Sequence, residues 1–139
     1  MLIKDVMSKN VETVTPETPI HEVAKKMLQR DCGSIIVVKD DRLVGMITDR
    51  DLAVRCIAKE HDPVSTTVGS VMSPEILYCF ETDKADDVAR NMSENKIRRL
   101  PVLNAEKRLV GIGSLGDLAS HSNHTLCGRV LGDICRRAA

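Results

Sequence analysis

A chain of 139 residues with 42% hydrophobic residues can fold as one domain, or as two small ones sharing a core. Its 20 basic and 20 acidic residues cancel, which removes the electrostatic footprint of a nucleic-acid or anionic-membrane binder, and no run reaches the ~18 apolar residues that span a bilayer. With no Trp, one Tyr and one Phe, the interior must be aliphatic. The five cysteines form no C-x-x-C pair, so they fit reduced thiols better than a disulfide framework or a structural zinc site. The first seven residues lack the apolar core of a secretion signal, and a cytoplasmic protein is expected.

Residues 11–15 read as a short strand. Thr18 is placed as an N-cap with Pro19 at the first helical position. Ile20, Val23, Ala24, Met27 and Leu28 then form the stripe of a helix with one buried face, ended by Gly33. Residues 34–38 are a β-branched strand, Asp40-Asp41 turns the chain, and residues 43–47 return as a second strand. Thr48 caps a second helix over residues 49–58. A polar connector, 60–67, leads to a short turn capped by Thr67.

The same order then recurs. Ile76, Tyr78 and Phe80 alternate along a strand. Asp83 caps a helix with Ala85, Val88, Ala89 and Met92 inside. Residues 100–103 and 109–112 are strands, and Pro101 places the first of them at an edge, or starts it. A second helix begins near Leu115. Beyond it Leu126, Val130, Leu131 and Ile134 fall at helical spacing in a tail with no earlier copy.

The recurrence is a repeat. Val6-Met7-Ser8 returns as Val71-Met72-Ser73, and Val23-Ala24 with Met27 as Val88-Ala89 with Met92. After one extra residue in the second turn, Leu43-Val44-Gly45 returns as Leu109-Val110-Gly111 and Asp51-Leu52-Ala53 as Asp117-Leu118-Ala119. Neither unit alone buries both faces of its small sheet. Two units about a pseudo-twofold axis would, with two related clefts between them.

Each unit ends its last strand in one motif, Gly45-Met46-Ile47-Thr48-Asp49-Arg50-Asp51 or Gly111-Ile112-Gly113-Ser114-Leu115-Gly116-Asp117. A hydroxyl and an acid at a strand–helix junction suit a sugar phosphate: the acid accepts from ribose hydroxyls and the backbone N–H groups favour the anion. The same spacing also makes a plain capping box. Gly113 and Gly116 loosen the second junction, widening the cleft or degrading it. Arg98 and Arg99 are a solvated charged pair, or one of them, just before a strand that enters the cleft, meets phosphate. Tyr78 reads first as core, with an adenine contact as the alternative, and Cys32 as a small packing residue. His121, His124 and Cys127 are the grouping nearest to a metal set, but a Ser-Asn interruption breaks their helix; no metal ligand and no catalytic residue is assigned.

These features resemble the cystathionine-β-synthase (CBS) domain, whose tandem pair is the Bateman module, here of a small stand-alone bacterial type. The resemblance covers about residues 1–121. It implies an α/β fold: two β-α-β-β-α repeats about a pseudo-twofold axis, plus a C-terminal helical tail. The domains are then 1–62 and 68–122, with a connector at 63–67 and the tail at 123–139. It also implies a non-catalytic regulatory module for an adenosine nucleotide of the AMP, ADP or ATP class, with no required cofactor. Asp51 and Thr48 would serve one cleft, and Asp117 and Ser114 the other. The Asp117 cleft would borrow contacts near Glu12, Thr13, Cys32 and Gly33, and the Asp51 cleft near Leu77, Tyr78, Ile97 and Arg98. Arg99 would meet phosphate beside Asp117, where its repeat partner is Ser34. A homodimer is implied, its apolar interface drawn from Leu52, Ala53, Ile57, Leu118 and Ala119, with output to an unknown effector protein. The alternatives are an interaction dimer with vestigial clefts, or a thiol- or metal-responsive protein.

Overall fold

A computed structural model of the chain describes residues 1–74, 76–121 and 124–136. Ser122, Asn123 and the end of the tail lie outside them. Among the described residues the strands form two three-stranded sheets, β1-β2-β3 and β4-β5-β6, each in one of two compact units. One unit is Val11–Ile76; the other joins Met1–Asn10 to Leu77–Ala139.

In the first unit β1 (Thr13–Val14) pairs parallel with β2 (Ser34–Lys39), which pairs antiparallel with β3 (Arg42–Thr48). Asp40 and Asp41 both take positive φ in the β2–β3 turn, which short polar side chains tolerate. α1 (Ile20–Arg30) lays Ile20, Val23 and Met27 on Ile35, Val37 and Ile47 in an aliphatic core. Thr18 and Pro19 stand one position earlier than their sequence roles. Pro19 is the N-cap, while the Thr18 hydroxyl accepts from Thr15 N–H. Gly33 does not end this helix. Asp31 does, in a left-handed conformation, and no glycine has positive φ.

The helix predicted over 49–58 is a three-residue α turn, α2 (Asp49–Asp51), running into a π-helical segment (Leu52–Ile57). Ala58 N–H reaches back five residues to Ala53 C=O at 3.0 Å. A short helix, α3 (Val68–Val71), follows the N-cap Thr67 and adds Val68 and Val71 to this core.

In the second unit β4 (Cys79–Phe80) pairs parallel with β5 (Arg99–Leu103), which pairs antiparallel with β6 (Leu109–Ser114). β5 is therefore the central strand, with Pro101 in its middle and opposite Ile112. The proline is accommodated because β4 is so short. It pairs only with Val102 and Leu103, so β5 has a single neighbour at Pro101. For the same reason Ile76 and Tyr78 are not in a strand, and Tyr78 is exposed rather than core, its ring edge-on to Phe80.

α4 (Ala85–Asn95), α5 (Leu115–His121) and α6 (His124–Cys135) complete this unit. α6 is the predicted tail helix, and it packs on α4 and α5. Its Cys127 and Val130 share a core with Met92 and Leu118. Leu118 is 1% exposed and Ala119 partly buried, so in this unit the residues expected at a dimer interface are covered by the chain's own helix.

The segments that precede the repeats are tied into these units by backbone bridges. Ser8 and Ile112 exchange two hydrogen bonds of 2.9 Å, and Ser73 and Met46 exchange two of 3.1 and 3.4 Å. Each bridge lays a methionine over a motif glycine. A Cβ at Gly45 would overlap Met72 Sδ, and one at Gly111 would sit 2.5 Å from Met7 Sδ and 2.9 Å from the Ser8 carbonyl. The glycine that opens each motif is thus closely packed, against a flexible side chain at Gly45 and against backbone as well at Gly111.

Candidate functional site

The register of each antiparallel pair sets the site. Ser34 lies opposite Thr48, and Arg99 opposite Ser114. One more hydrogen bond locks each strand start to the strand–helix junction: Asp49 N–H to Gly33 C=O at 3.0 Å, and Leu115 N–H to Arg98 C=O at 2.9 Å.

Both hydroxyl–acid motifs form the same box. Asp51 N–H donates to Thr48 Oγ1 at 3.1 Å, and Thr48 N–H donates to Asp51 Oδ2 at 2.9 Å. In the second motif Asp117 N–H donates to Ser114 Oγ at 3.0 Å, and Ser114 N–H donates to Asp117 Oδ2 at 3.0 Å. Ser114 Oγ–H also donates to that Oδ2 at 2.7 Å. Each acid therefore has one oxygen committed to its capping box. Asp51 Oδ1 lies 3.7 Å from Arg55 Nε, whereas Asp117 forms no ion pair among the described residues.

The surroundings of the two motifs differ. In the first unit Glu12 pairs with Lys26 at 3.5 Å and Arg30 at 2.7 Å, so its carboxylate is already engaged. Thr13 lies in β1, and Cys32 packs against the core. In the second unit a cavity of about 550 Å3 opens beside Ser114. Arg98, Arg99, Ser114, Leu115, Gly116 and Ala119 line it from the sheet and α5, and His124, Cys127, Gly128 and Leu131 from α6. That volume lies within the range of small-molecule sites. Neither Arg98 nor Arg99 has a carboxylate partner among the described residues; Arg98 Nη2 donates to Cys135 Sγ at 3.6 Å. Ile97 packs against the core of this unit, while Asp117 and Tyr78 do not line the cavity.

Three of the sequence-assigned residues, Arg98, Arg99 and Ser114, thus meet at one cavity. The α6 wall was missed, although the tail's helical periodicity and the His124 and Cys127 grouping both fell on it. Two buried thiols, Cys56 and Cys79, are held in the neutral form. Burial, and then the Asp83 carboxylate, push Cys79 up to about 12; burial, with Asp51, raises Cys56. No group of three or more His, Cys, Asp and Glu that could hold a metal ion occurs among the described residues. Cys127 is buried, and the His121 ring is bonded to Asp117 C=O at 3.0 Å. No helix of the described residues is long and apolar enough to cross a membrane.

A tandem α/β repeat with a hydroxyl–acid junction in each copy defines the class to which the chain is compared. The CBS domain family model matches residues 3–57 and 68–124, and the chain belongs to that family. It is 42% identical over 117 residues to the CBS domain-containing protein YhcV of Bacillus subtilis, spanning 84% of this chain and 82% of that one. Among solved structures it is similar to Hypoxic Response Protein I with two coordinated zinc ions (TM-score 0.80, 32% identity, 88% of this chain and 100% of that one). The relative of that name is from Mycobacterium tuberculosis. It is also similar to CBSX2 in complex with AMP (TM-score 0.74, 29% identity, 86% and 93%).

Proposed function

We propose that the chain is a non-catalytic regulatory module that binds an adenosine-containing nucleotide of the AMP, ADP or ATP class at its hydroxyl–acid motifs. The observation that carries this reading is the cavity where Arg98 and Arg99, without carboxylate partners among the described residues, meet Ser114. Guanidinium groups at a cavity favour phosphate, and an acid one turn away suits a ribose. The AMP complex of CBSX2 adds support from a relative. Regulation follows if the nucleotide prefers one of two conformations, and output passes to an effector protein.

The reading includes a homodimer. The covered face of α4 and α5 has an uncovered counterpart in the first unit, where Leu28, Val54 and Ile57 are 83%, 47% and 75% exposed. Ser93, the repeat partner of Leu28, bonds Asp133 of α6 at 2.6 Å. A second copy laid on this face would supply the cover that α6 gives the other unit.

A second reading, a scaffold with vestigial sites, is favoured by the capping boxes: both motifs are internally satisfied, and their leading glycines serve packing. Thermal shift with AMP, ADP and ATP separates the two. A ligand at 100 times its Kd should stabilise by about 2.7 kcal/mol. No shift with any adenosine compound, together with none released from gently purified protein on mass spectrometry, would leave the scaffold.

A further inference from the structure

The two repeats leave their motifs in different ways. After Asp51 the first continues as the π-helical turn Leu52–Ile57, a form taken by no other segment among the described residues. After Asp117 the second continues as the α-helix α5. Side chains mark the difference. Ser120 Oγ–H donates to Gly116 C=O at 2.9 Å, and the His121 ring bonds Asp117 C=O at 3.0 Å, each across one α-helical turn. Their repeat partners are Val54, which has no polar side-chain atom, and Arg55, whose Nε instead lies 3.7 Å from Asp51 Oδ1. α6 also packs on α5, whereas Val54 and Ile57 are exposed, so the first copy has room to change register. One junction is thus present in both helical registers within a single chain.

The ends of the π turn are not equally free. Asp51 is fixed by its capping box, and Asp49 N–H is bonded to Gly33 C=O at 3.0 Å. Further on, Cys56, 1% exposed, seats the turn in the core, and Ala58 N–H reaches Ala53 C=O. An α register closes each turn with about one residue fewer, so with Asp51 fixed it would carry Ile57 roughly a quarter of a circle about the helix axis. Ala58 N–H would then bond Val54 C=O. Asp51 Oδ1, the carboxylate oxygen outside the capping box, is the one left for a ligand hydroxyl, and it is the oxygen that Arg55 faces.

We propose that residues 52–57 are the two-state element of this module. The π register, tied to the motif by Arg55, belongs to the free chain. A ligand hydroxyl on Asp51 Oδ1 displaces Arg55, the turn closes to α, and Val54 and Ile57 are re-aimed. This names the two conformations that the regulatory reading requires, and it rests on that reading for the ligand alone; the register depends on Arg55 and the chain itself. By linkage, whatever binds the exposed face in one register changes the affinity at Asp51 by the same factor.

The test reads the hydrogen bond itself. In the isotope-labelled full chain, through-hydrogen-bond NMR couplings show which carbonyl Ala58 N–H joins, with α5 as the α-helical reference. Wild type alone should couple to Ala53. Arg55→Ala, Arg55→Gln and wild type saturated with AMP, ADP or ATP should couple to Val54. Coupling of free wild type to Val54, or of either folded variant to Ala53, overturns the proposal. If a nucleotide binds by calorimetry and the coupling stays at Ala53, the proposal is overturned and the nucleotide reading stands. If none of the three nucleotides binds while the variants shift to Val54, the two-state element stands and the nucleotide reading falls. If one variant misfolds, the other decides.

Discussion

The glycine that opens each motif invites a ligand-based explanation, and the packing gives a different one that can be measured. At Gly45 the three atoms nearest an added Cβ all belong to the Met72 side chain: Sδ, Cγ and Cε. At Gly111 the crowding comes from Met7 and also from the Ser8 carbonyl at 2.9 Å, which its bridge to Ile112 holds in place. Overpacking of this kind costs about 1–3 kcal/mol. Gly45→Ala should lie at the low end, because a flexible thioether can move aside, and Gly111→Ala at the high end, because a backbone carbonyl cannot. The two cycles should then part. Combining Gly45→Ala with Met72→Ala removes the three nearest contacts, and the coupling energy should recover most of the cost, on the order of 1 kcal/mol or more. Combining Gly111→Ala with Met7→Ala leaves the carbonyl contact, and the coupling should be smaller. Urea unfolding followed by circular dichroism gives all six variants on one scale. Single substitutions costing under about 0.5 kcal/mol, or equal coupling in the two cycles, would refute the packing account. Loss of nucleotide binding at unchanged stability would return the glycines to the ligand.

Gly132→Ala in α6 should stabilise by about 0.5–1 kcal/mol and raise Tm, since the helix gains propensity and the methyl meets open space; a lower Tm would contradict the placement of that helix face. Leu28→Asp with Ile57→Asp should convert a dimer to a monomer in sedimentation velocity while leaving the native circular dichroism spectrum unchanged, because both side chains are exposed within one chain; a persistent dimer would move the interface elsewhere. Cys79 predicts a pH signature. Its folded pKa of about 12 lies above the ordinary value of 9.0, so above pH 9 the unfolded chain loses that proton first. The stabilising effect of the neutral thiol is complete below pH 9 and should fade as the pH rises toward 12. Cys79→Ala should flatten that part of the stability–pH curve, and an unchanged slope would remove the assignment.

How far the sequence led depends on the kind of contact involved. Strand and helix order was legible because the period of apolar residues changes between them, and duplication doubled the signal. Pro101 was misread because a propensity rule counts sheet neighbours, and only tertiary pairing shows that β4 stops short of it. The π-helical segment over Leu52–Ile57 has an ordinary helical composition, so nothing local announced it. Leu118 was taken for an interface residue because α6 has no repeat partner and its docking on α4 and α5 is a nonlocal event. At the candidate site Arg99 and Ser114 were legible as a pair, since one strand register fixes both. The wall that makes a cavity of them was not.

The two glycines of the second motif are resolved by the same comparison of repeats, and in opposite senses. Gly113 stands where the first unit has Ile47, a fully buried core residue. A Cβ at Gly113 would lie 3.0 Å from Ile3 Cδ1, and Ile3 is itself fully buried where the first unit has Val68. The large residue of one strand has been exchanged for a larger one from the N-terminal segment. The space is filled from the other side, as close packing demands. Gly113 is therefore accounted for by core packing. Gly116 is different. It replaces Arg50 in the first helical turn, lines the cavity, and would meet only Ser114 Oγ, at 3.6 Å, if it carried a Cβ. One loss of side chain was compensated inside the core and the other was left as open volume beside two arginines, so the second, rather than the first, is the divergence that shapes the cavity.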